Sequence, residues 1–409
     1  MSLLFLGSFF SPNLEEHIRL NSKGAIANAN NTLQWSFIEG LSLLVDGVGV
    51  ITLPQVGAFP LKYKKPIISS AKFNVEDKIV GTSVGFFNLM GLKHISRYLN
   101  VKRTLIEYLL VNNGAATLII YDLHVPFLKA AAQIKQQFPG LKICLIVPDL
   151  PGLTGTKASF LNSCFSHLET IFLKQCYEAV DYYVLLSKHM KNALPIGNKP
   201  WTVIEGIFNS NGNLFSDEAC EQKQSIKKIF YAGVLHTRNG VINLIQAFKQ
   251  IPDKNYQLII CGDGPAKDEV IAETLTDPRI LYKGQLPRTE VLKLQKESTL
   301  LVNPRTPEGE FTKYSFPSKT MEYLSSGVPT LMYRLEGVPD EYYEYCYGLT
   351  DTSIKALTES MVSICEQDYK VLLSKAKLAQ EFILMEKNPT VQCRKMLQLF
   401  KEYPQVKVE

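Results

Sequence analysis

Asn303 to Leu331 reads NPRTPEGEFTKYSFPSKTMEYLSSGVPTL, and the order of its residue types predicts strand end, loop, helix, turn and strand. The loop is rich in Pro and Gly. Ser315 is placed to cap a helix by accepting from its first free N–H groups, and Pro317 falls in the first turn, where a missing N–H costs nothing. The helix is expected to run to about Ser326, with Gly327 as its stop. At three- and four-residue spacing, Ser315, Ser318, Lys319, Glu322 and Ser326 share one stripe, while Met321 and Leu324 point the other way into a core.

A helix start with unpaired N–H groups and a nearby lysine favours an anion such as a diphosphate. Glu322 would lie roughly 6 Å deeper along the helix, where one carboxylate can take two ribose hydroxyls. The plainer reading is a capped amphipathic helix with a solvated polar face, and the surrounding chain decides between them.

At 409 residues, two domains of about 200 residues each are expected. Apolar residues at 46%, charged residues at 20% and a net charge of +5 describe a soluble globular protein without the excess of a nucleic-acid binder. The start, MSLLFLGSFFSP, has no basic n-region or small-residue cleavage site, and no apolar run is long enough to span a bilayer, so a cytoplasmic protein is expected. The eight cysteines form no Cys-x-x-Cys pair, which argues against a metal site or a disulfide framework. Cys144 and Cys261 lie inside apolar runs as small hydrophobes.

Leu3 to Leu6 form a short buried strand closed by Gly7-Ser8, at the sheet edge where α/β folds bind ligands. Ser8, Lys23 and Asn28 are candidate contacts in that region, with a helix periodic from Thr32 to Leu41. After the apolar run Val48–Leu53, Lys62, Lys64 and Lys65 interleave with Phe59, Leu61 and Tyr63; with Lys93 and Arg97 they form a candidate patch for an anionic membrane face. The alternative is solvated charge beside a partly buried edge. The strand Leu118–Ile120, a helix from about Phe127 to Gln137 and the strand KICLIVPDL alternate as a parallel sheet requires. His124 stands just past the first of these strands, and Pro126 fixes the chain's exit. The helix LKQCYEAV and the strand DYYVLLS complete this half.

Glu205 to Lys228 is Gly/Asn/Ser-rich and then charged, the composition of a linker. A second series follows: the strand KIFYAGVL ending at Gly233, Arg238, the helix VINLIQAF, the strand QLIICGDGP with Gly262 and Gly264 in its turn, RILYKG, RTEVLKLQK and TLLVNP. A last helix near Thr390 to Phe400 is expected to pack back on the first domain.

YAGVL with Arg238 and Gly240, LIICGDGP, the run from Gly284 through Pro287 to NPR at 303–305, and YSFPSKTMEYLSSGVPT together resemble the retaining nucleotide-sugar glycosyltransferases of family 4. These motifs cover about Lys228 to Glu341. The first half matches more loosely, through Gly7, HVP at His124–Pro126 and VPDLPG near Asp149. The resemblance implies the GT-B fold, two facing Rossmann-like domains: an acceptor domain at 1–204, a linker at 205–227, a nucleotide-sugar domain at 228–388 and a C-terminal helix at 389–409.

It further implies that Glu322 holds the ribose, that Ser315, Ser318 and Lys319 surround the diphosphate, that Arg238 neutralises the leaving group and that His124 contacts the donor sugar. Gly7, Ser8, Gly233, Gly262 and Gly264 would line the donor site at the sheet edges. The family pattern has a glutamate where this chain has Tyr314, itself a candidate donor-site residue, so Glu308, Glu310 or backbone groups would take its task; it has a lysine where this chain has Asn239, leaving the charge to Arg238. The activity implied is transfer, with retention and without metal, from a UDP- or GDP-sugar to a glycan or lipid-linked acceptor in bacterial polysaccharide synthesis. No cofactor is required. Two alternatives remain open: a GT-B nucleotide-sugar epimerase, and a non-catalytic nucleotide-sugar-binding partner of an assembly complex.

Overall fold

A computed structural model describes residues 2–24, 26, 28–114, 116–150, 176–210 and 226–404. The chain divides into two compact units, Met1–Ile207 with Pro389–Glu409, and Phe208–Asn388. Much of the expected linker, and Pro151 and Gly152 of the VPDLPG motif, lie outside the described residues.

In the first unit an eight-stranded sheet is built from β1 (Leu3–Gly7), β2 (Val48–Thr52), β4 (Ala71–Val75), β5 (Ile79–Ser83), β7 (Thr117–Tyr121), β8 (Lys142–Val147), β9 (Tyr182–Leu185) and β10 (Trp201–Val203). Their order is β10-β9-β8-β7-β1-β2-β5-β4. All pairings are parallel except β4 with β5. The central strands are buried on both faces, so their sequences read as unbroken apolar runs rather than alternation. The helices α1 (Pro12–Asn21), α2 (Asn28–Ser42), α3 (Leu92–Val111) and α4 (Val125–Gln137) accompany the sheet. Residues β3 (Ile67–Ile68) and β6 (Phe86–Phe87) form a small antiparallel pair.

The unit's last element is the helix Pro389–Glu402. Its Cys393, Met396, Leu399 and Phe400 join Phe37, Ile38 and Leu41 of α2 in one apolar cluster. Burial of this face stabilises the unit at about 25 cal/mol per Å² of apolar surface.

In the second unit β11 (Lys227–Ala232), β12 (Tyr256–Cys261), β13 (Ile280–Tyr282), β14 (Leu300–Asn303), β15 (Thr330–Tyr333) and β16 (Tyr347–Leu349) make a parallel sheet ordered β13-β12-β11-β14-β15-β16. Counted within the unit, that is 3-2-1-4-5-6, the doubly wound order whose direction reverses between its first and fourth strands. In the first unit the same reversal falls between β1 and β7. Loops leaving the carboxyl ends of those strand pairs diverge, and the crevices they leave are where ligands bind in such sheets.

Two expectations need correction. The helix after the FPSK loop spans Lys319–Ser325, so Ser315 does not cap it. The Ser315 hydroxyl instead donates to the Phe311 carbonyl and accepts from Arg305, and the first turn closes with Thr320 N–H on the Pro317 carbonyl. Ser326 is buried, its hydroxyl donating to the Tyr323 carbonyl, which removes it from any open polar stripe. Arg97 is only 4% exposed: its guanidinium donates to the Leu53 carbonyl and lies over the Phe86 and Phe127 rings. Lys93 donates to the Val56 carbonyl. Neither belongs to a solvent-facing cationic patch.

Candidate functional site

Unit two's crevice is floored by backbone. The Gly233 N–H donates to the Cys261 carbonyl, and a Cβ on Gly262, where φ is +133°, would stand 1.8 Å from the Gly233 oxygen. No side chain fits at Gly262, so the loops after β11 and β12 lie directly on one another. Gly264 packs as closely on the Leu235 backbone.

Across Gly233 runs the stem of Lys319, whose Cε is 3.0 Å from where a Cβ at that glycine would be. Burial lowers the Lys319 amine, opposed by the charge of Glu322. The helix bearing both is pinned to the end of β11 by the Tyr323 hydroxyl, which accepts the Ala232 N–H at 2.8 Å and donates to its carbonyl. Glu322 lies in the helix's first turn and accepts from Gln295 Nε2 at 2.8 Å. Gln295, on the helix Arg288–Lys296, is fully buried. The carboxylate is therefore held in one orientation by a side chain that cannot swing out to solvent.

A second cluster stands on the loops after β11 and β14, the two strands where the order reverses. Arg238, on a short 3-10 turn and donating its own N–H to the His236 ring, and Arg305 both flank the Phe311 ring, with guanidinium carbons 6.0 and 4.7 Å from its centre. Arg305 donates to Ser315 at 2.7 Å, and its Nε is buried without a partner. Burial, then repulsion from Arg238, lowers Arg305 to about 10. Neither guanidinium has a carboxylate ion pair among the described residues. Two neighbouring cations left uncompensated make a receptor for a strong anion.

Glu310 is exposed on the 3-10 turn Glu310–Thr312, and Tyr314 follows half-buried. Ser318 precedes the helix, exposed, with no capping bond from its side chain.

In the first unit Gly7 and Ser8 stand at the carboxyl end of β1, but the close neighbour there is Gln34. Its Oε1 accepts the Ser8 N–H at 2.8 Å and would lie 2.2 Å from a Cβ at Gly7, which explains the glycine without any ligand. Past β7, Asp122 adopts φ +78° and accepts the Leu123 N–H. His124 begins α4, its ring 4.4 Å from Phe127 and 6.3 Å from His94 by centroids. Burial, with the charges of Arg97, His94 and Lys93, holds the imidazole well below its ordinary value, so it is neutral near pH 7. Its Nδ1 is buried without a partner. Burial also raises the Asp122 and Asp149 carboxyls, and Asp122 raises Asp149 further.

The structure thus gathers Gly233, Gly262, Lys319 and Glu322 in one place and Arg238 and Ser315 around Phe311, all in the second unit; His124, Gly7 and Ser8 belong to the first. Sequence reasoning gave no role to Arg305, although it closes the NPR motif, nor to Gln295 and Phe311, whose importance comes from packing between elements distant in the chain. Among the described residues no cluster of His, Cys, Asp and Glu has the makings of a metal site, and no helix is long and apolar enough to cross a membrane.

Residues 217–376 match the family model described as Glycosyl transferases group 1. No curated protein matches the chain by sequence. Among solved structures, sucrose-phosphate synthase from Thermosynechococcus elongatus superimposes with a TM-score of 0.64 at 15% identity, covering 98% of this chain and 99% of that one. Trehalose-6-phosphate synthase from E. coli bound with UDP-2-fluoro glucose gives 0.64 at 11% over 98% and 99%. Anabaena HepE in complex with UDP gives 0.62 at 14% over 98% and 100%. At these identities the likeness speaks for the fold alone, and that fold is GT-B, a two-domain α/β architecture with parallel sheets.

Proposed function

We propose that the protein is a retaining glycosyltransferase, of the family 4 kind within group 1, that moves a sugar from a UDP- or GDP-sugar to a glycan or lipid-linked acceptor in polysaccharide synthesis in the cytoplasm. The observation that carries the reading is the pairing at one sheet edge of a fixed carboxylate, Glu322 on Gln295, with the uncompensated cations Arg238 and Arg305 and the covered amine of Lys319. A nucleoside diphosphate needs both: an acceptor for ribose hydroxyls and positive charge for its phosphates. Support comes also from the family match over residues 217–376 and from neighbours solved with UDP or a UDP-sugar.

In the reaction the bond between the sugar's anomeric carbon and the β-phosphate oxygen breaks, and a bond forms from that carbon to an acceptor oxygen. Negative charge builds on the departing diphosphate. Arg238, Arg305 and Lys319 stabilise that charge in place, and fixed groups of this kind cost no reorganisation as the bond breaks. The acceptor hydroxyl's proton passes to the departing phosphate, on the face the diphosphate leaves, so configuration is retained. No side-chain nucleophile is assigned. A neutral His124 acts by hydrogen bonding to the donor sugar rather than by charge. Glu310 or Glu308 serves in place of the carboxylate absent at Tyr314.

The test is a thermal-shift screen of the full-length protein against UDP, GDP, CMP, ADP and their common sugar conjugates, because a ligand bound only by the native state raises Tm. A shift with UDP or GDP that vanishes in Glu322→Ala is expected. No shift with any nucleotide would overturn the reading. Product from a nucleotide sugar alone, with no acceptor, would replace it with an epimerase.

A further inference from the structure

Residues 58–106 carry nine lysines and arginines against two carboxylates, Glu76 and Asp77, in a chain whose whole formal excess is +5. The cationic surplus of the protein is therefore concentrated here, and the remainder of the chain is slightly acidic. The two carboxylates sit together on the turn between β4 and β5, apart from the apolar residues described next.

The same segment exposes large apolar side chains that the core does not use. Met90 is 78% exposed and Leu61 73%, with Phe87, Leu92, Ile95 and Leu99 each more than half exposed. They form one surface. Phe87 on β6 stands opposite the likewise exposed Ile67 on β3, a bridge between Phe59 and Leu89 brings the turn bearing Leu61 beside the loop bearing Met90, and α3 begins at Leu92 and packs on β6. Leu92, Ile95 and Leu99 follow at helical spacing on one face of α3. Its other face, Val101, Leu105 and Leu109 with Arg97, is buried.

Lys62, Lys64 and Lys65 are exposed on the turn beside this surface; Arg103, further along α3, is exposed but paired with Glu107. Contiguous apolar exposure of this kind marks an interaction site rather than ordinary surface. An apolar helix face flanked by basic side chains suits the headgroup boundary of an anionic bilayer, where the apolar groups enter the acyl region and the cations meet phosphates. We propose that this face of the first unit docks on a membrane surface rich in anionic phospholipid, with Met90, Leu92, Ile95 and Leu99 inserted and Lys62, Lys64 and Lys65 at the headgroups. Charge complementarity favours a bilayer over an apolar protein partner, since Lys62, Lys64 and Lys65 make no ion pair among the described residues. The site departs from the patch expected from sequence in one respect: Arg97 and Lys93 are used internally.

The experiment is sedimentation of the full-length protein with phosphatidylcholine vesicles and with vesicles containing phosphatidylglycerol, at low and high salt and without any nucleotide, so that its result is independent of the proposed activity. Binding to the anionic vesicles, weakened by salt, is expected. Lys62, Lys64 and Lys65 changed together to Gln should weaken it about a hundredfold, given three charges near the surface. Leu92→Glu with Ile95→Glu should abolish it, with Tm unchanged because both residues are exposed. Absence of vesicle binding, equal binding to neutral vesicles, or binding untouched by both variants overturns the proposal.

Discussion

Replacing Glu322 with Ala tests the organising helix in two ways at once. In the bound state one carboxylate takes two ribose hydroxyls, and charge-assisted hydrogen bonds contribute about 1.5–3 kcal/mol, so affinity for the nucleoside diphosphate falls by roughly 10- to 150-fold. In the free protein the same carboxylate is the partner of Gln295 Nε2, and Gln295 Oε1 already lacks a partner. Removing Glu322 strands the amide inside a fully buried side chain, a loss of about 1–3 kcal/mol. The lower end applies, because Glu322 is itself partly exposed and water can enter the vacated space. For a unit of this size that corresponds to a drop in Tm of roughly 2–4 °C per kcal/mol.

Glu322→Gln separates the two effects. It keeps an acceptor oxygen for Gln295, so Tm should stay near wild type, while loss of the charge still weakens nucleotide binding. Titration calorimetry with UDP and GDP, alongside melting curves of all three proteins, reads both quantities. Wild-type nucleotide affinity in Glu322→Ala would refute the assignment of the ribose contact, whatever happens to Tm.

Arg238→Ala should lower kcat/KM by about 10²- to 10³-fold, as loss of a fixed group stabilising developing charge does, and Arg305→Ala should weaken diphosphate binding in the same calorimetry; normal turnover in both would remove the paired cations from the mechanism. His124 is neutral when folded but free to protonate when unfolded, where its pKa is near 6.5, so as pH falls below 6.5 the native state should lose up to about 1.4 kcal/mol per pH unit. Denaturation between pH 7 and 5 should show less acid sensitivity in His124→Asn, and equal slopes would contradict the burial of the neutral ring. Gly262→Ala forces a Cβ onto the Gly233 carbonyl at a backbone angle side chains avoid, the backbone angle alone costing about 1–3 kcal/mol; a wild-type melting curve would count against the loop packing. Arg97→Ala leaves the Leu53 carbonyl without its donor and a hole between Phe86 and Phe127, for a loss of about 2–4 kcal/mol, measurable by urea titration.

The sheets were legible because parallel strands buried on both faces are written as unbroken apolar runs: LIICG, ICLIV and TLLVN announce β12, β8 and β14 within a residue or two. The 3-2-1-4-5-6 order was not legible, since pairing is decided by contacts far apart in the chain. The FPSK helix was located correctly but started too early. Helical spacing ranked Ser315 as a cap, whereas its hydroxyl is taken by Arg305 and Phe311 across the loop. Arg97 misled for a related reason. Spacing on α3 cannot say which side of the helix faces the sheet, and a guanidinium can be buried when a carbonyl and two rings receive it. Glu322 and Lys319 were readable as chemistry in order. Gln295, which fixes the carboxylate, offered no local signal.

The helix Pro389–Glu402 has a consequence for how the protein is made. Most of the first unit is encoded before the second, yet Met396, Leu399 and Phe400 in its core are made only after the whole of the second unit. At about 5–20 residues per second, the α2 face bearing Phe37, Ile38 and Leu41 waits roughly 10–40 s after Ile207 is made before its cover arrives. The second unit, contiguous from Phe208 to Asn388, has its whole sequence before the first is complete. Translation order and folding order are thus inverted, and a nascent chain stopped short of Pro389 would display an apolar face that chaperones and proteases can read as unfinished.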